Sequence, residues 1–305
     1  TKNSIVYRAR YMQEMQTILK NISNPSVFEE NRLPAHSDHS VYANKSELLK
    51  GTSSLCYSLN GIWKFDYSIN LNCTPDGFEA LDYDCKNWED IRVPAHIQME
   101  GYDRPHYANV AYPWDGRQAL KSGEAPTDFN PVASYVKYFT LPNGFIKDSL
   151  ILRFDGVESA AAIWLNGHYI GYCEDSFTPS EFDLTKYVVD GENKLAIQVT
   201  KWCAGSWLED QDFFRFSGIF RDIYLYTKQK CHLEDIEIKQ VFENNNFENV
   251  KLNFSISLSN NADVKLVLFD AMDLTLKSNE FKVFDEMPVV YETVNNLHSG
   301  ENKLS

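Results

Sequence analysis

The sequence predicts an all-β chain, and two patterns carry this prediction. Short apolar runs recur between residues 51 and 228, and several of them, such as 135–141, alternate apolar with polar side chains. This alternation is typical of strands that bury one face only. Turn dipeptides separate the runs, and Asn166-Gly167 is a strong signal for a two-residue β-hairpin. Many short strands joined by turns predict a β-sandwich.

A second series of strands begins near residue 229. The runs 236–242, 250–258 and 264–269 alternate in the same way. Strands spread over about 75 residues fit a small immunoglobulin-like sandwich. The N-terminal stretch lacks this pattern, and 305 residues exceed the usual size of one domain. We therefore divide the chain into an N-terminal arm at 1–50, a β-sandwich at 51–228 and an immunoglobulin-like sandwich at 229–305.

Charge and cysteine content limit the classes of function. A formal net charge of −14 argues against nucleic acid or a membrane surface as a partner. The six cysteines form no CxxC pair, so a zinc site has no support and free thiols in a reducing compartment are favoured. Residues 1–20 lack the apolar core of a signal peptide, so we expect a cytoplasmic protein. The chain begins with Thr rather than Met, and we expect a piece of a longer protein.

An acidic and aromatic stretch is the most informative part of the sequence. Glu209, Asp210 and Asp212 lie close together, and Phe213 and Phe214 follow them. Carboxylates accept hydrogen bonds from sugar hydroxyls, and aromatic faces cover the apolar surface of a sugar ring. A solvated acidic loop beside core aromatics is the alternative interpretation. A retaining glycosidase needs two carboxyl groups about 5 Å apart, but neighbouring carboxylates on one strand are a poor candidate for that pair.

Further segments occur with this stretch in a fixed order along residues 21–228. They are 28–36, which contains Asn31-Arg32-Leu33; 58–65; 93–103, which continues into 107–113; 154–160, which precedes 164–167; 179–184 with 191–195; and the acidic stretch, which contains Glu209-Asp210-Gln211-Asp212. Together they resemble the N-terminal part of the large cytoplasmic bacterial β-galactosidases of glycoside hydrolase family 2.

The resemblance implies a jelly-roll sugar-binding domain, an immunoglobulin-like domain, and then a TIM barrel that holds the catalytic glutamates. This chain contains the first domain and the second. No stretch alternates strand and helix over the roughly 250 residues that a barrel needs. We therefore expect no catalytic residue in this chain, leave Glu280 unassigned, and expect the isolated chain to be inactive.

Two residues receive a role from the resemblance. Asp212 matches the aspartate that reaches into the barrel's active site, contacts galactose hydroxyls and helps to bind sodium. Asn109 matches the asparagine that donates or accepts a substrate hydrogen bond, although a loop asparagine that bonds its own backbone is the alternative. The resemblance also implies that the whole enzyme uses sodium and magnesium, is a homo-oligomer contacted by the arm at 1–50, and hydrolyses β-galactosides such as lactose.

Other polar and aromatic residues have mainly structural interpretations. Arg215 and the pair Arg221-Asp222 are expected to brace the acidic stretch through ion pairs, and Glu209 and Asp210 to cap turns or face a partner domain. Phe213 and Phe214 fit either the core or a sugar subsite. Trp63 and Trp164 are expected in the core. Trp114 and Asp115 are expected at the mouth of the site. For His36, His96 and His106 we expect hydrogen bonds to the backbone rather than metal binding.

Two other functions stay open from the sequence. A free-standing carbohydrate-binding module would hold sugar through aromatics without catalysis, and sugar binding by the chain alone would favour it. A family member that cleaves glucuronides or mannosides is also considered. Tyr107-Ala108-Asn109-Val110 and Glu209-Asp210-Gln211-Asp212 favour a galactosidase over these enzymes.

Overall fold

A computed structural model describes most of the chain and divides it into two compact units. The described residues are 17, 18, 20–145, 149–209, 212–242, 250–269 and 288–304. Within them, the first unit contains the residues up to Ala35 together with Cys56–Thr227, and the second contains His36–Leu55 together with the residues from Lys228 onward. The described part of the stretch predicted as an arm is thus shared between the two units.

Two antiparallel sheets form the sandwich of the first unit. The elements are β1 (Glu29–Glu30), α1 (Lys45–Lys50, in the second unit), β2 (Cys56–Ser58), β3 (Gly61–Ser68), β4 (Glu89–Val93), β5 (His106–Ala108), β6 (Val132–Thr140), β7 (Leu150–Phe154), β8 (Ala160–Leu165), β9 (His168–Cys173), β10 (Ser180–Asp183), β11 (Glu192–Thr200), α2 (Ser206–Glu209), β12 (Phe213–Arg215) and β13 (Ile223–Thr227). The seven-stranded sheet has the order β1-β9-β8-β11-β6-β3-β4, and the four-stranded sheet has the order β10-β7-β13-β2. A two-stranded ribbon, β5-β12, accompanies them.

The interior strand β8 shows how the seven-stranded sheet is stabilised. All six of its residues are buried. Ala161, Ile163 and Leu165 join the core between the two sheets. The residues that alternate with them, including Trp164, pack into a second apolar cluster on the other face. A strand covered on both faces therefore needs apolar residues at every position, and β8 has them.

The predicted hairpin at Asn166-Gly167 is confirmed. Leu165 pairs with His168, and the two residues between them have positive φ angles of 52° and 79°. This is the backbone of a type I′ turn, which favours Asn followed by Gly because both central residues need positive φ.

The second unit is also antiparallel. Its strands are β14 (Leu233–Phe242), β15 (Val250–Leu258), β16 (Ala262–Phe269), β17 (Pro288–Leu297) and β18 (Gly300–Leu304). They form a sheet of order β14-β15-β18 and a β16-β17 pair. Ile256, Leu258 and Leu297 form its buried core, so the prediction of strands here is confirmed. Its assignment as immunoglobulin-like stays a prediction.

The segment before β2 is attached to this second unit by hydrogen bonds. The Ser37 amide donates to Asp235 Oδ1 at 2.8 Å, and the Ile236 amide donates to Ser37 Oγ at 3.1 Å. Helix α1 follows, capped by the side chain of Asn44 and ended by Gly51 in the left-handed conformation. Among the described helices, none has the length and apolar character to cross a membrane.

Candidate functional site

The β5-β12 ribbon brings the two predicted substrate-contacting residues together. The strands pair antiparallel, with Ala108 opposite Phe213 and His106 opposite Arg215. Asn109 and Asp212 are the next residues beyond the Ala108 pair, so they lie at the same end of the ribbon. Both are exposed. Residues that are distant in sequence thereby place an amide and a carboxylate at one exposed end of the ribbon.

Asp212 has a defined hydrogen-bond partner. The phenol of Tyr107 donates to Asp212 Oδ1 at 2.6 Å. This bond raises the pKa of Tyr107, because loss of the phenol proton would place two negative charges side by side. Asp212 has a positive φ of 45°, a conformation that aspartate adopts more readily than most residues. One carboxylate oxygen is therefore occupied by the ribbon itself, and the group stays on the exposed side.

Aromatic rings extend the ribbon surface. The Tyr107 and Phe214 rings lie 5.6 Å apart, and these residues are 51% and 53% exposed. Phe216 stacks on Phe214 at 5.8 Å, and His96 stacks on Phe216 at 4.7 Å. The structure thus places Phe214 on the surface rather than in the core. The Phe213 side chain lies outside the described residues.

A buried polar network holds the base of the ribbon. Gln98 Nε2 donates to Asp103 Oδ2 and to Ser217 Oγ, each at 3.0 Å, and Gln98 Oε1 accepts from the Ser217 amide at 3.0 Å. Lys201 Nζ lies 2.5 Å from Asp103 Oδ2, and these two side chains are 1% and 6% exposed. Asp103 precedes β5 and Ser217 follows β12, so one network attaches both strands to the sandwich. No local sequence pattern indicates this network, because its members come from separate parts of the chain.

Helix α2 leads into Asp212 and is held by two carboxylates. Glu209 accepts from the Ser176 amide at 3.0 Å and from Ser176 Oγ at 2.6 Å. Glu174 accepts from the Gly205 amide at 2.9 Å. Burial raises the pKa of Glu209 and raises that of Glu174 to about 7. Glu209 thus caps a turn, one of the two roles expected for it. Asp210 lies outside the described residues.

A cluster of aromatic residues braces the other side of α2. The Tyr112 ring lies 4.5 Å from Trp207, and Trp114 lies 5.1 Å from Trp207. Tyr112 Oη donates to the Trp207 carbonyl at 3.0 Å, and Trp207 Nε1 donates to the Glu124 carbonyl at 2.8 Å. Trp114 is buried, so it supports the loop after Asn109 by packing rather than by lining the surface. Asp115 accepts from the Tyr112 amide and closes the turn.

The remaining predicted residues have structural roles. Arg215 donates to the Ala108 carbonyl, and Arg221 donates to the Phe177 carbonyl, so both arginines brace backbone. Asp222 accepts from Asn60. Trp63 and Trp164 are buried, as predicted.

The histidines do not assemble a metal site in the described residues, where no group of three metal-ligating side chains occurs. His36 Nδ1 lies 2.7 Å from the Ser37 carbonyl, in agreement with the expected backbone bond. His96 lies between the rings of Phe216 and Phe220, and its pKa is lowered by burial. Burial likewise lowers the pKa of His106.

Comparison with known proteins decides the family. Residues 56–229 match the glycosyl hydrolases family 2 sugar binding domain, and this match covers more than half of the chain. The chain belongs to glycosyl hydrolase family 2. The resemblance predicted from the ordered segments is therefore confirmed, and so is the jelly-roll sandwich expected for this family 2 domain.

Similar family 2 proteins are β-galactosidases. The β-galactosidase of Halalkalibacterium halodurans is 55% identical over 215 residues, covering 70% of this chain and 21% of that protein. The β-galactosidase large subunit of Latilactobacillus sakei is 45% identical, covering 73% of this chain and 37% of that protein. The β-galactosidase of Clostridium acetobutylicum is 41% identical, covering 92% and 32%. The chain thus spans well under half the length of each of these relatives.

Solved structures show the same fold. A β-glucuronidase from an uncultured Clostridium sp. aligns with a TM-score of 0.54 at 22% identity, covering 81% of this chain and 39% of that chain. A β-glucuronidase from Bifidobacterium dentium aligns with a TM-score of 0.57 at 16% identity, covering 81% and 40%. At such low identity the likeness concerns the fold alone.

Proposed function

We propose that this chain is the N-terminal, non-catalytic part of a β-galactosidase and that it contributes Asn109 and Asp212 to the binding of the galactosyl group. The observation that carries the proposal is the β5-β12 ribbon, which presents both residues at one exposed end. Identity of up to 55% to β-galactosidases supports the substrate class. The whole enzyme would hydrolyse terminal β-D-galactosides, such as lactose, with retention through a covalent galactosyl-enzyme intermediate.

The chemistry of the ribbon suits a neutral polyol. Asp212 accepts hydrogen bonds from hydroxyls, and the exposed rings of Tyr107 and Phe214 cover apolar C–H surface. A glucuronide carries its own carboxylate, which the charge of Asp212 and a net charge of −14 would repel. This charge repulsion therefore favours a galactoside over a glucuronide. It gives no comparable argument against a mannoside, which is neutral.

Asp212 also fits the role of a sodium ligand. Alkali and alkaline-earth cations prefer oxygen donors, and this carboxylate is exposed with one oxygen occupied by Tyr107. When bound, sodium would neutralise the carboxylate and bind substrate oxygen. The remaining ligands would come from the rest of the enzyme. Magnesium is proposed for the whole enzyme only, without a ligand assigned in this chain.

The partner proposed for this face is the enzyme's own TIM barrel. Large side chains on the ribbon and in the chain segments next to it are exposed, namely Tyr107, Val110, Leu208 and Phe214. Such a group of exposed apolar residues is typical of a surface that another domain covers. We further propose a cytoplasmic homo-oligomer, a location supported by six cysteines that all remain free thiols.

Two measurements test the proposed function. Purified residues 1–305 should not turn over a chromogenic β-galactoside, and turnover would contradict the non-catalytic role. In the full-length enzyme, Asp212→Asn should lower kcat/KM for galactosides by at least about tenfold, because it removes a charged acceptor. Asp183→Asn is the matched control, because this exposed aspartate caps the Thr185 amide at the end of β10, in a different sheet from the ribbon, and the asparagine amide keeps that bond. Equal activity of both variants would refute the role of Asp212.

A free-standing carbohydrate-binding module is the second candidate. The half-exposed rings of Tyr107 and Phe214 beside Asp212 are the observation that favours it. Calorimetry of the chain with galactose and lactose separates the two candidates. Dissociation constants in the millimolar range or tighter support a module, whereas absence of binding supports a site completed by the barrel.

A further inference from the structure

A buried carboxylate contacts the start of α2, the helix that precedes Asp212 in the chain. Glu174 follows β9 and is 3% exposed. Its Oε1 accepts from Tyr172 Oη at 2.7 Å, and its Oε2 accepts from the Gly205 amide at 2.9 Å. Within the described part of the chain, Glu174 has no ion-pair partner. A buried carboxylate that lacks a cation is costly, so its retention needs a reason beyond packing.

The surroundings of Glu174 place its titration near neutral pH. Burial raises its pKa to about 7, and the negative charge of Glu209 acts in the same direction. Hydrogen bonds from Tyr172, Gly205 and Cys203 act in the opposite direction. The Cys203 thiol stays protonated, because burial raises its pKa well above the ordinary value. Glu174 is thus the group in this cluster that changes charge around pH 7.

The neighbouring titratable groups on its own strand and turn are Cys173 and Asp175. Burial also raises the pKa of Cys173, to about 11, so this thiol is neutral near pH 7. Asp175 accepts from Thr178 and lies 3.6 Å from Arg32, which places it on the outer side of the turn. The Cys173 thiol therefore does not replace Glu174 as the group that titrates.

The carboxylate of Glu174 holds the start of α2. Gly205 directly precedes this helix, and its carbonyl accepts from the Leu208 and Glu209 amides. A Cβ atom at Gly205 would lie 3.2 Å from Glu174 Oε2, so glycine permits the close approach. At the other end of the helix, Glu209 accepts both polar hydrogens of Ser176. The turn at 174–176 therefore holds both ends of α2, and Asp212 lies three residues beyond it.

We propose that Glu174 is a positioning residue for Asp212, because its buried carboxylate attaches the start of α2 to the turn at 174–176 and so determines how firmly the helix before Asp212 is held. The proposal rests on the proposed role of Asp212 in substrate binding. Ionised Glu174 accepts two charge-assisted hydrogen bonds, which are about twice as strong as neutral ones. These bonds do not offset the cost of a buried charge that has no cation, which is why burial raises the pKa of Glu174 to about 7. Protonated Glu174 can keep both contacts, because its hydroxyl can donate to Tyr172 Oη while its other oxygen accepts from the Gly205 amide. Since opening of α2 would expose Glu174 and lower its pKa, ionisation favours opening, and α2 is held less firmly above about pH 7.

Nuclear magnetic resonance of residues 1–305 tests the hydrogen bond between the Gly205 amide and Glu174 directly. The Gly205 amide shift should titrate with a midpoint near pH 7 and should become flat in Glu174→Gln. The ring signal of Tyr107, which donates to Asp212, should follow with the same midpoint. Glu192→Gln, an exposed carboxylate at the start of β11, is the control and should leave both transitions unchanged. A Gly205 amide that is flat between pH 6 and 8 in the wild type overturns the proposal.

Two substitutions of neighbouring residues should shift the midpoint of the Gly205 amide titration in opposite directions. These tests remain informative even if Glu174→Gln does not fold. Tyr172→Phe removes a hydrogen bond that lowers the pKa of Glu174, so the midpoint should rise. Glu209→Gln removes a negative charge that raises it, so the midpoint should fall. Shifts in the same direction, or none, would show that another group titrates.

Kinetics of the full-length enzyme supply the functional readout. In the wild type, KM for a galactoside should rise about threefold from pH 6 to pH 8 relative to Glu174→Gln, with kcat changed less. Equal pH profiles of KM in the two enzymes would overturn the positioning role even if the amide titrates. Absence of galactosidase activity in an enzyme whose Gly205 amide still titrates would instead contradict the proposed function, so the two failures are distinguishable.

Discussion

Replacing Lys201 by Met should destabilise the first unit more than almost any other polar substitution in it. Lys201 Nζ lies 2.5 Å from Asp103 Oδ2, and the two side chains are 1% and 6% exposed. Met keeps the length of the side chain but removes the charge. Asp103 then keeps only the hydrogen bond from Gln98 Nε2 on that oxygen, inside a site that water hardly reaches.

The size of the effect follows from which partner remains. Breaking a buried ion pair from one side typically costs about 3–5 kcal/mol, because the other charge stays buried and uncompensated. Removing both charges with Asp103→Asn and Lys201→Met should restore at least half of that loss, since Asn still accepts from Gln98. A double variant that is more stable than Lys201→Met alone is therefore the signature of a desolvated pair rather than of lost packing.

Urea unfolding followed by tryptophan fluorescence measures the loss of stability. Trp202 is a suitable probe because Lys201 Nζ lies 5.1 Å from its ring centroid. With a slope of about 2–3 kcal/mol per molar urea, the single variant should lower the midpoint by about 1–2 M. Lys186→Met removes an exposed lysine and is the control, with a shift expected near zero. A midpoint for Lys201→Met within 0.3 M of the control, or a double variant less stable than the single one, refutes the reasoning.

Three further substitutions, at Glu174, Asp212 and Gly171, have expected outcomes. Because folding raises the pKa of Glu174 from 4.5 to about 7, its contribution to stability is full below about pH 4.5 and is lost as pH rises through 7. Glu174→Gln should therefore gain about 3 kcal/mol relative to wild type between these limits, measured by urea unfolding as a function of pH. Asp212→Asn should lower the pKa of Tyr107 towards its ordinary value, seen by carbon-13 tyrosine resonances, and an unchanged pKa would contradict the hydrogen bond between them. Gly171→Ala should destabilise by about 3 kcal/mol in thermal unfolding and detach β1, because the added Cβ would lie 2.5 Å from the Glu30 carbonyl oxygen; a stable variant would show that this edge can shift.

The sequence alone supports the fold further than it supports the site. Alternation of apolar and polar residues indicates a strand, because its side chains point to two faces in turn. Asn166-Gly167 indicates a turn, because these residues favour its backbone conformation. Both signals depend only on residues that are close together in the sequence. The ribbon is different, because β5 and β12 have three residues each and their pairing is long-range. Strands so short carry no readable period, and Asn109 and Asp212 were therefore identified through the family resemblance rather than through a pattern.

Buried polar partners are the part that periodicity cannot predict. Asp103 and Lys201 look like ordinary surface residues in the sequence, and their burial depends on partners that are distant along the chain. Glu174 is similar, because its high pKa arises from what surrounds it and not from its neighbours in sequence. Trp114 shows the opposite error, since a tryptophan beside the site was expected at its mouth and is instead buried behind it.

These buried groups explain how an exposed site can be well positioned. Asp212 itself makes one side-chain hydrogen bond among the described residues, to an exposed tyrosine, and such a bond contributes little rigidity. The ribbon must therefore take its position from its attachments, which are the Asp103–Lys201 pair at its base and the two carboxylates that hold α2. Both attachments place charge in a buried setting, where it is expensive to keep and sensitive to loss. Weakening either one should increase amide exchange at the ribbon end before the sandwich unfolds, because the apolar core between the sheets does not depend on them.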